Sequence, residues 1–220
     1  MCFTPIISFL TFAIEMILAV YLVKINPKKS LNRIGAVILF LLGAYQLSEF
    51  GICTSSNQFF WARAGHIAYT LLPALGMHWV LIIKKSKKKA WPLYIPPAIF
   101  ISLATSKTGF IGGTECARYF IKIIYNWNYL WLWSYQAYYA GSIILVAAML
   151  LNCIANENNK KQRTIYLWGL VGVLSFTFPA FFFILLLPSF NAYSPSILCH
   201  FALLFAIIVA YMAYLTNRNL

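Results

Sequence analysis

Seven long apolar runs dominate this chain, and the short stretches between them collect most of its basic residues. A helix crossing about 30 Å of hydrocarbon needs roughly 20 mostly apolar residues. The runs lie at about 3–24, 34–53, 64–83, 91–106, 129–152, 165–187 and 195–215. The fourth is the shortest and carries Pro92, Pro96 and Pro97, which a helix tolerates in its first turn because those N–H groups lack intrahelical partners anyway. A six-span version with a re-entrant fourth segment is the alternative. Composition excludes the other classes. Of 220 residues, 62% are hydrophobic and 10% charged, with four acids (Glu15, Glu49, Glu115, Glu157) and no Asp. So few charges cannot cover a soluble surface, and disorder requires low hydrophobicity. The expectation is one all-α integral membrane domain over residues 1–220, a seven-transmembrane helix bundle.

Orientation follows from the basic residues. Lys24, Lys28, Lys29, Arg33, Lys84, Lys85, Lys87, Lys88, Lys89, Lys160, Lys161, Arg163 and Arg218 fall on one side of the expected bundle, and Arg63, Lys107, Arg118 and Lys122 on the other. Thirteen against four places the N-terminus outside and the C-terminus in the cytoplasm. The lysines of the Lys84–Lys89 run should meet anionic lipid headgroups rather than nucleic acid. The first run has no basic segment before it and carries Glu15 within it, which is a span pattern and not that of a cleaved signal peptide. The longest loop, about 107–128, leaves no room for a soluble catalytic domain.

The polar residues inside the runs are unevenly placed. Thr4, Ser8, Thr11 and Glu15 share a helical face, as do Tyr45, Gln46, Glu49 and Cys53. His66, Tyr69 and Thr70 follow on the third run, Tyr135, Tyr138 and Ser142 on the fifth, and Ser196, Cys199 and His200 on the seventh. In the orientation above these lie in the outer half of the bilayer, with His78 and Trp79 the exceptions. Intramembrane ionisable groups face a bundle interior because lipid penalises them. Glu15 is too deep to snorkel, so it needs a proton or a partner such as Gln46 or His200. Glu49 has a candidate ion-pair partner in Arg63. The distribution describes a polar pocket open to the outside and sealed below. Glu15, Gln46, Glu49, His66 and His200 would line it, and Tyr45, Tyr69, Tyr135 and Tyr138 would wall it. A channel or simple transporter would need polar groups along the whole path.

Glu49, His66 and His200 also have the ligand chemistry of a zinc site. No HExxH or HxxxH pair is present, so three helices would each have to supply one ligand. No cofactor is expected. Retinal is excluded because no Lys occurs between 165 and 215, and Gly112–Gly113 is only a turn signal. Cys53 and Cys116 fall outside or at the outer boundary, where a disulfide would persist and tether the long loop; equally, they serve as small apolar residues. Within that loop Tyr119, Ile121, Ile123, Tyr125 and Trp127 alternate, the period of an extended lid. An interfacial helix is the alternative.

The opening Met1-Cys2-Phe3-Thr4 with Ser8 and Phe9, and the later Gln46-x-x-Glu49, resemble a family of small, uncharacterised prokaryotic membrane proteins beginning Met-Cys-Phe-Ser/Thr. That resemblance covers the first third best; it implies several spans and brings no activity. Trp61-Ala62-Arg63, Leu72-Pro73 and Tyr214-Leu215 are similar to the seven-span N-terminal sensor region of bacterial histidine kinases, which implies sensing. No kinase domain follows Leu220, so output would pass through a separate protein partner. The leading expectation is a receptor-like or sensor-like protein that binds a small molecule or lipid. A membrane-embedded enzyme acting at the outer leaflet, metal-dependent if the zinc set forms, is the second. A structural subunit of a membrane complex is the third.

Overall fold

The computed structural model describes residues 4–106, 110–116, 121–126, 128–186 and 194–218, without the side chains of 4, 180, 183–186, 194–200 and 218. Among the described residues there are seven helices: α1 (Thr4–Ile25), α2 (Ser30–Thr54), α3 (Gln58–Ile83), α4 (Ile95–Ser106), α5 (Tyr129–Asn156), α6 (Lys160–Leu186) and α7 (Ser194–Arg218). A two-stranded antiparallel hairpin, β1 (Ile111–Cys116) and β2 (Ile121–Tyr125), lies between α4 and α5. Four segments are long and apolar enough to cross a membrane: Pro5–Ile25, Ser30–Thr54, Gln58–Ile83 and Tyr129–Asn156. The molecule is therefore a helical membrane protein. Its exposed side chains agree, since Ile17, Ile144 and Phe178 are each about two-thirds exposed, an arrangement suited to lipid rather than water.

The all-α class holds, with the short hairpin added to it. One expectation is corrected: the run 91–106 is not one helix, since a 3-10 turn over Trp91–Tyr94 leads into the 12-residue α4. Twelve residues rise only about 18 Å, well short of about 30 Å of hydrocarbon. Pro96 and Pro97 occupy the first turn of α4, where they cost no hydrogen bond. His78 anchors the turn, its Nδ1 2.8 Å from the Tyr94 hydroxyl. The other helices begin or end beyond their apolar runs, because hydropathy marks the hydrocarbon zone while caps mark the helix. Asn57, Asn128 and Asn159 accept from the backbone N–H groups of Phe60, Trp131 and Lys161, opening α3, α5 and α6.

Neighbouring helices pack antiparallel. Ser8 meets Glu49 and Met16 meets Gly43 along α1 and α2, Tyr45 meets Tyr69 along α2 and α3, and Trp168 meets Tyr211 along α6 and α7. Glycine allows the closest approach: a Cβ on Gly65 would overlap the Ser48 hydroxyl, and one on Gly51 the Trp61 ring. The apolar core joins Leu22, Leu39, Trp79, Val80, Leu150, Ala206 and Met212. One end of the bundle is basic. There Lys29 Nζ donates to the Thr216 carbonyl at 2.8 Å and Gln162 Nε2 to the Ile83 carbonyl at 3.1 Å, tying the α1–α2 turn to α7 and α3 to α6. At the other end Cys53, near the close of α2, is joined by a disulfide to Cys116 of β1, their Cα atoms 5.6 Å apart. The segment between Lys84 and Cys116 therefore returns from the basic end to the hairpin end, although α4 alone is too short to do so.

Candidate functional site

The hairpin end holds two polar clusters. The first is an aromatic network under the hairpin. His66 is fully buried on α3, and its Nδ1 lies 3.0 Å from the Tyr69 hydroxyl and 3.3 Å from that of Tyr125 on β2. The Tyr69 and Tyr125 hydroxyls are 2.9 Å apart. One turn along, Thr70 Oγ1 and the Tyr135 hydroxyl are 3.0 Å apart, and Tyr138 donates to the Thr70 carbonyl at 2.9 Å. Tyr45 packs edge-on against Tyr69, and Phe100 of α4 edge-on against Tyr135. Burial pushes the Tyr125 phenol above its ordinary pKa, which keeps it a hydrogen-bond donor. The alternation expected of the loop places Ile121, Ile123 and Tyr125 against the bundle and leaves Ile124 exposed, so the hairpin covers this end as a lid. Tyr119 and Trp127, the other members of that pattern, lie outside the described residues.

The second cluster sits between α1 and α2. Ser8 donates to Glu49 Oε2 at 3.1 Å, and both are fully buried. Thr11 and Glu15 continue the same face of α1 into the interior, and Glu15 is close enough to Glu49 for their charges to interact. Gln46 lies one turn from Glu49 on α2 and is fully buried. Neither carboxyl oxygen of Glu15 and neither amide atom of Gln46 has a hydrogen-bond partner. Four buried polar atoms without partners, within one pair of helices, are far from the rule for protein interiors.

The geometry bears on several expectations. Glu49 and Arg63 do not form the ion pair suggested by their positions: Glu49 turns toward Ser8 on α1, while Arg63 Nε is buried without a hydrogen bond. Among the described residues Lys122 pairs with Glu115, across the hairpin. Glu15 enters the interior, but beside Glu49 and without a hydrogen bond to Gln46. The side chain of His200 lies outside the described residues, as do those of Ser196 and Cys199. Among the described residues no three His, Cys, Asp or Glu come together to hold a metal. Tyr45, Tyr69, Tyr135 and Tyr138 share one wall with His66, on the far side of α2 from Glu15.

Sequence reasoning missed Phe110, Phe100 and Tyr139, which pack around His66, Tyr135 and Tyr69. Tyr139 follows Tyr135 by one turn and was legible from that spacing. Phe110 stands in a loop and carried no periodic signal. Deeper in the bundle an apolar cavity of about 70 Å³ begins at Leu42, one turn below Gln46, and is lined also by Trp79, Tyr139, Ser142 and Phe205. Neither a protein-family model, nor a curated protein, nor a solved structure matches this chain.

Proposed function

We propose that the protein is a seven-pass membrane protein, N-terminus outside and C-terminus cytoplasmic, acting as a receptor-like or sensor-like binding module. It takes a small molecule or lipid into the outer half of the bundle and passes the signal to a separate partner. Four helices long and apolar enough to span, an odd number of passes between the two ends, and the gathering of basic residues at one end support the topology.

One observation carries the binding reading. Glu15 and Gln46 are wholly buried beside Glu49 with no hydrogen-bond partner, in a place where every unsatisfied polar atom is destabilising by about 1–3 kcal/mol. Two carboxyls, an amide and the hydroxyls of Ser8 and Thr11 favour a ligand rich in hydrogen-bond donors, such as an amine or a polyol headgroup. The apolar cavity one turn below would take a short apolar portion of the same ligand. The aromatic network and hairpin then serve as the rigid wall and cover.

Native mass spectrometry of the protein released directly from its membrane tests this. Wild type should retain an additional mass that Glu15→Gln loses, while the melting temperature of the variant stays at or above that of wild type. Identical spectra for the two proteins would remove the reading. Tags at the two ends should report opposite sides of the membrane, with the N-terminus outside.

A further inference from the structure

The basic end of the bundle holds a second cavity, of about 640 Å³, within the range of about 300–1,000 Å³ typical of small-molecule sites. It lies between the α1–α2 turn, the end of α3, the start of α6 and the end of α7. Lys29, Lys85 and Lys161 line it together with Ser30, Gln162 and Thr164, and no acidic side chain lines it among the described residues.

Two of these lysines, Lys29 and Lys85, differ from the rest of the basic end, and a helix terminus adds to them. Lys29 is half-buried and its ammonium is held by the Thr216 carbonyl at 2.8 Å, leaving further N–H groups free to donate. Burial lowers its pKa, so its charge is incompletely solvated by the protein alone. Lys85 has a φ of 52°, the left-handed region. It closes α3 in the arrangement usually built on glycine, with Ser86 N–H bonded to the Leu81 carbonyl and Lys85 N–H to that of Ile82, both at 2.9 Å. A lysine at a position that favours glycine is held there against its own backbone preference. Finally, α2 begins at Ser30 beside the cavity with no side-chain cap and no acid in its first turn, so the positive end of the helix is uncompensated there.

We propose that this cavity binds a phosphate group, carried by an anionic phospholipid headgroup or by a soluble phosphate ester. The phosphate oxygens would accept from Lys29, Lys85 and Lys161 and from the first N–H groups of α2. The site is independent of the Glu15 cluster, at the opposite end of the bundle, and would stand if that reading fell.

The test uses the full chain in nanodiscs of phosphatidylcholine, of phosphatidylcholine with phosphatidylglycerol, and of phosphatidylcholine with added inorganic phosphate. Melting temperature and bound lipid, by native mass spectrometry, are the readouts. Phosphatidylglycerol or inorganic phosphate should raise the wild-type melting temperature. A gain with phosphatidylglycerol alone assigns the phosphate to a lipid, and a gain with inorganic phosphate assigns it to solution. The double variant Lys29→Gln/Lys161→Gln should weaken binding by about fivefold per lysine. Lys87→Gln/Lys88→Gln, in the same loop region but outside the cavity lining, should leave it within about twofold, as expected of screened surface charge. Lys85→Gly should melt higher in phosphatidylcholine yet lose the anion-dependent gain, a combination that a purely structural lysine would not produce. Equal losses in the two double variants, or no gain from either anion, would overturn the proposal.

Discussion

The two polar clusters at the hairpin end differ in how they are satisfied. Around His66 the Nδ1 atom and the hydroxyls of Tyr69, Tyr125, Tyr135 and Tyr138 meet one another or Thr70 at 2.9–3.3 Å. Between α1 and α2, Glu15 and Gln46 are buried as deeply and have no hydrogen bond. Hydrogen bonds linked in this way fix helices and a hairpin in one arrangement. Buried polar atoms without hydrogen bonds oppose folding. Burial is common to both clusters; their hydrogen bonding is what differs.

The comparison can be broken from its structural side first. Cys116→Ser opens the disulfide to Cys53, which closes a separation of 63 residues, and should cost about 2–4 kcal/mol. Hydrogen exchange should then rise in β1, β2 and around His66 while the α1–α2 pair stays protected. Equal loosening of both clusters would mean they are one unit.

Glu15→Leu sharpens the other side. Removing an unsatisfied buried acid should stabilise the protein by about 1–3 kcal/mol, read as a higher melting temperature in detergent, together with loss of the retained mass. A destabilised Glu15→Leu protein would show that the carboxyl supports the fold.

Tyr69→Phe makes the opposite prediction with nearly the same loss of polarity. Deleting the hydroxyl that bridges His66 and Tyr125 should cost about 1–2 kcal/mol, because two buried partners lose a bond. Ligand retention should be unchanged. If Tyr69→Phe instead released the bound mass, the network would belong to the binding site and the contrast would fail.

The smallest effect is expected at the lid. Lys122→Gln removes the exposed pairing with Glu115 and should change stability by less than about 1 kcal/mol. Thermal unfolding in low and high salt checks this, since the small difference from wild type should shrink as salt screens the exposed pair.

Much of the architecture was legible from the chain. The long apolar runs with basic residues between them yielded α1, α2, α3 and α5 because a helix that meets lipid must be apolar over its whole length, a signal that survives without tertiary context. The period-two alternation of Ile121, Ile123 and Tyr125 likewise announced an extended segment. The fourth run misled because hydropathy does not see where a helix starts: Trp91–Tyr94 continues the apolar run but forms a 3-10 turn. The Glu49–Arg63 pairing failed because two residues at a similar depth on consecutive helices need not point at each other. Glu49 faces α1 and not the loop side of α3.

What the residues determine by themselves is class and pattern: which segments are apolar enough to leave water, which polar groups fall near one end, and where the positive charge collects. These depend on one-dimensional order, since solvent transfer acts on each segment in turn. Tertiary structure alone decided which polar groups find partners. The rotation of each helix turned Ser8 toward Glu49, and the hairpin brought Tyr125 over His66 across 59 residues. It left Glu15 and Gln46 with none, and folded Lys29, Lys85 and Lys161 around one cavity from the α1–α2 turn, the end of α3 and the start of α6. Hydrogen bonds and charge contacts act over a few ångströms in three dimensions, a distance that sequence spacing does not encode beyond a helical turn.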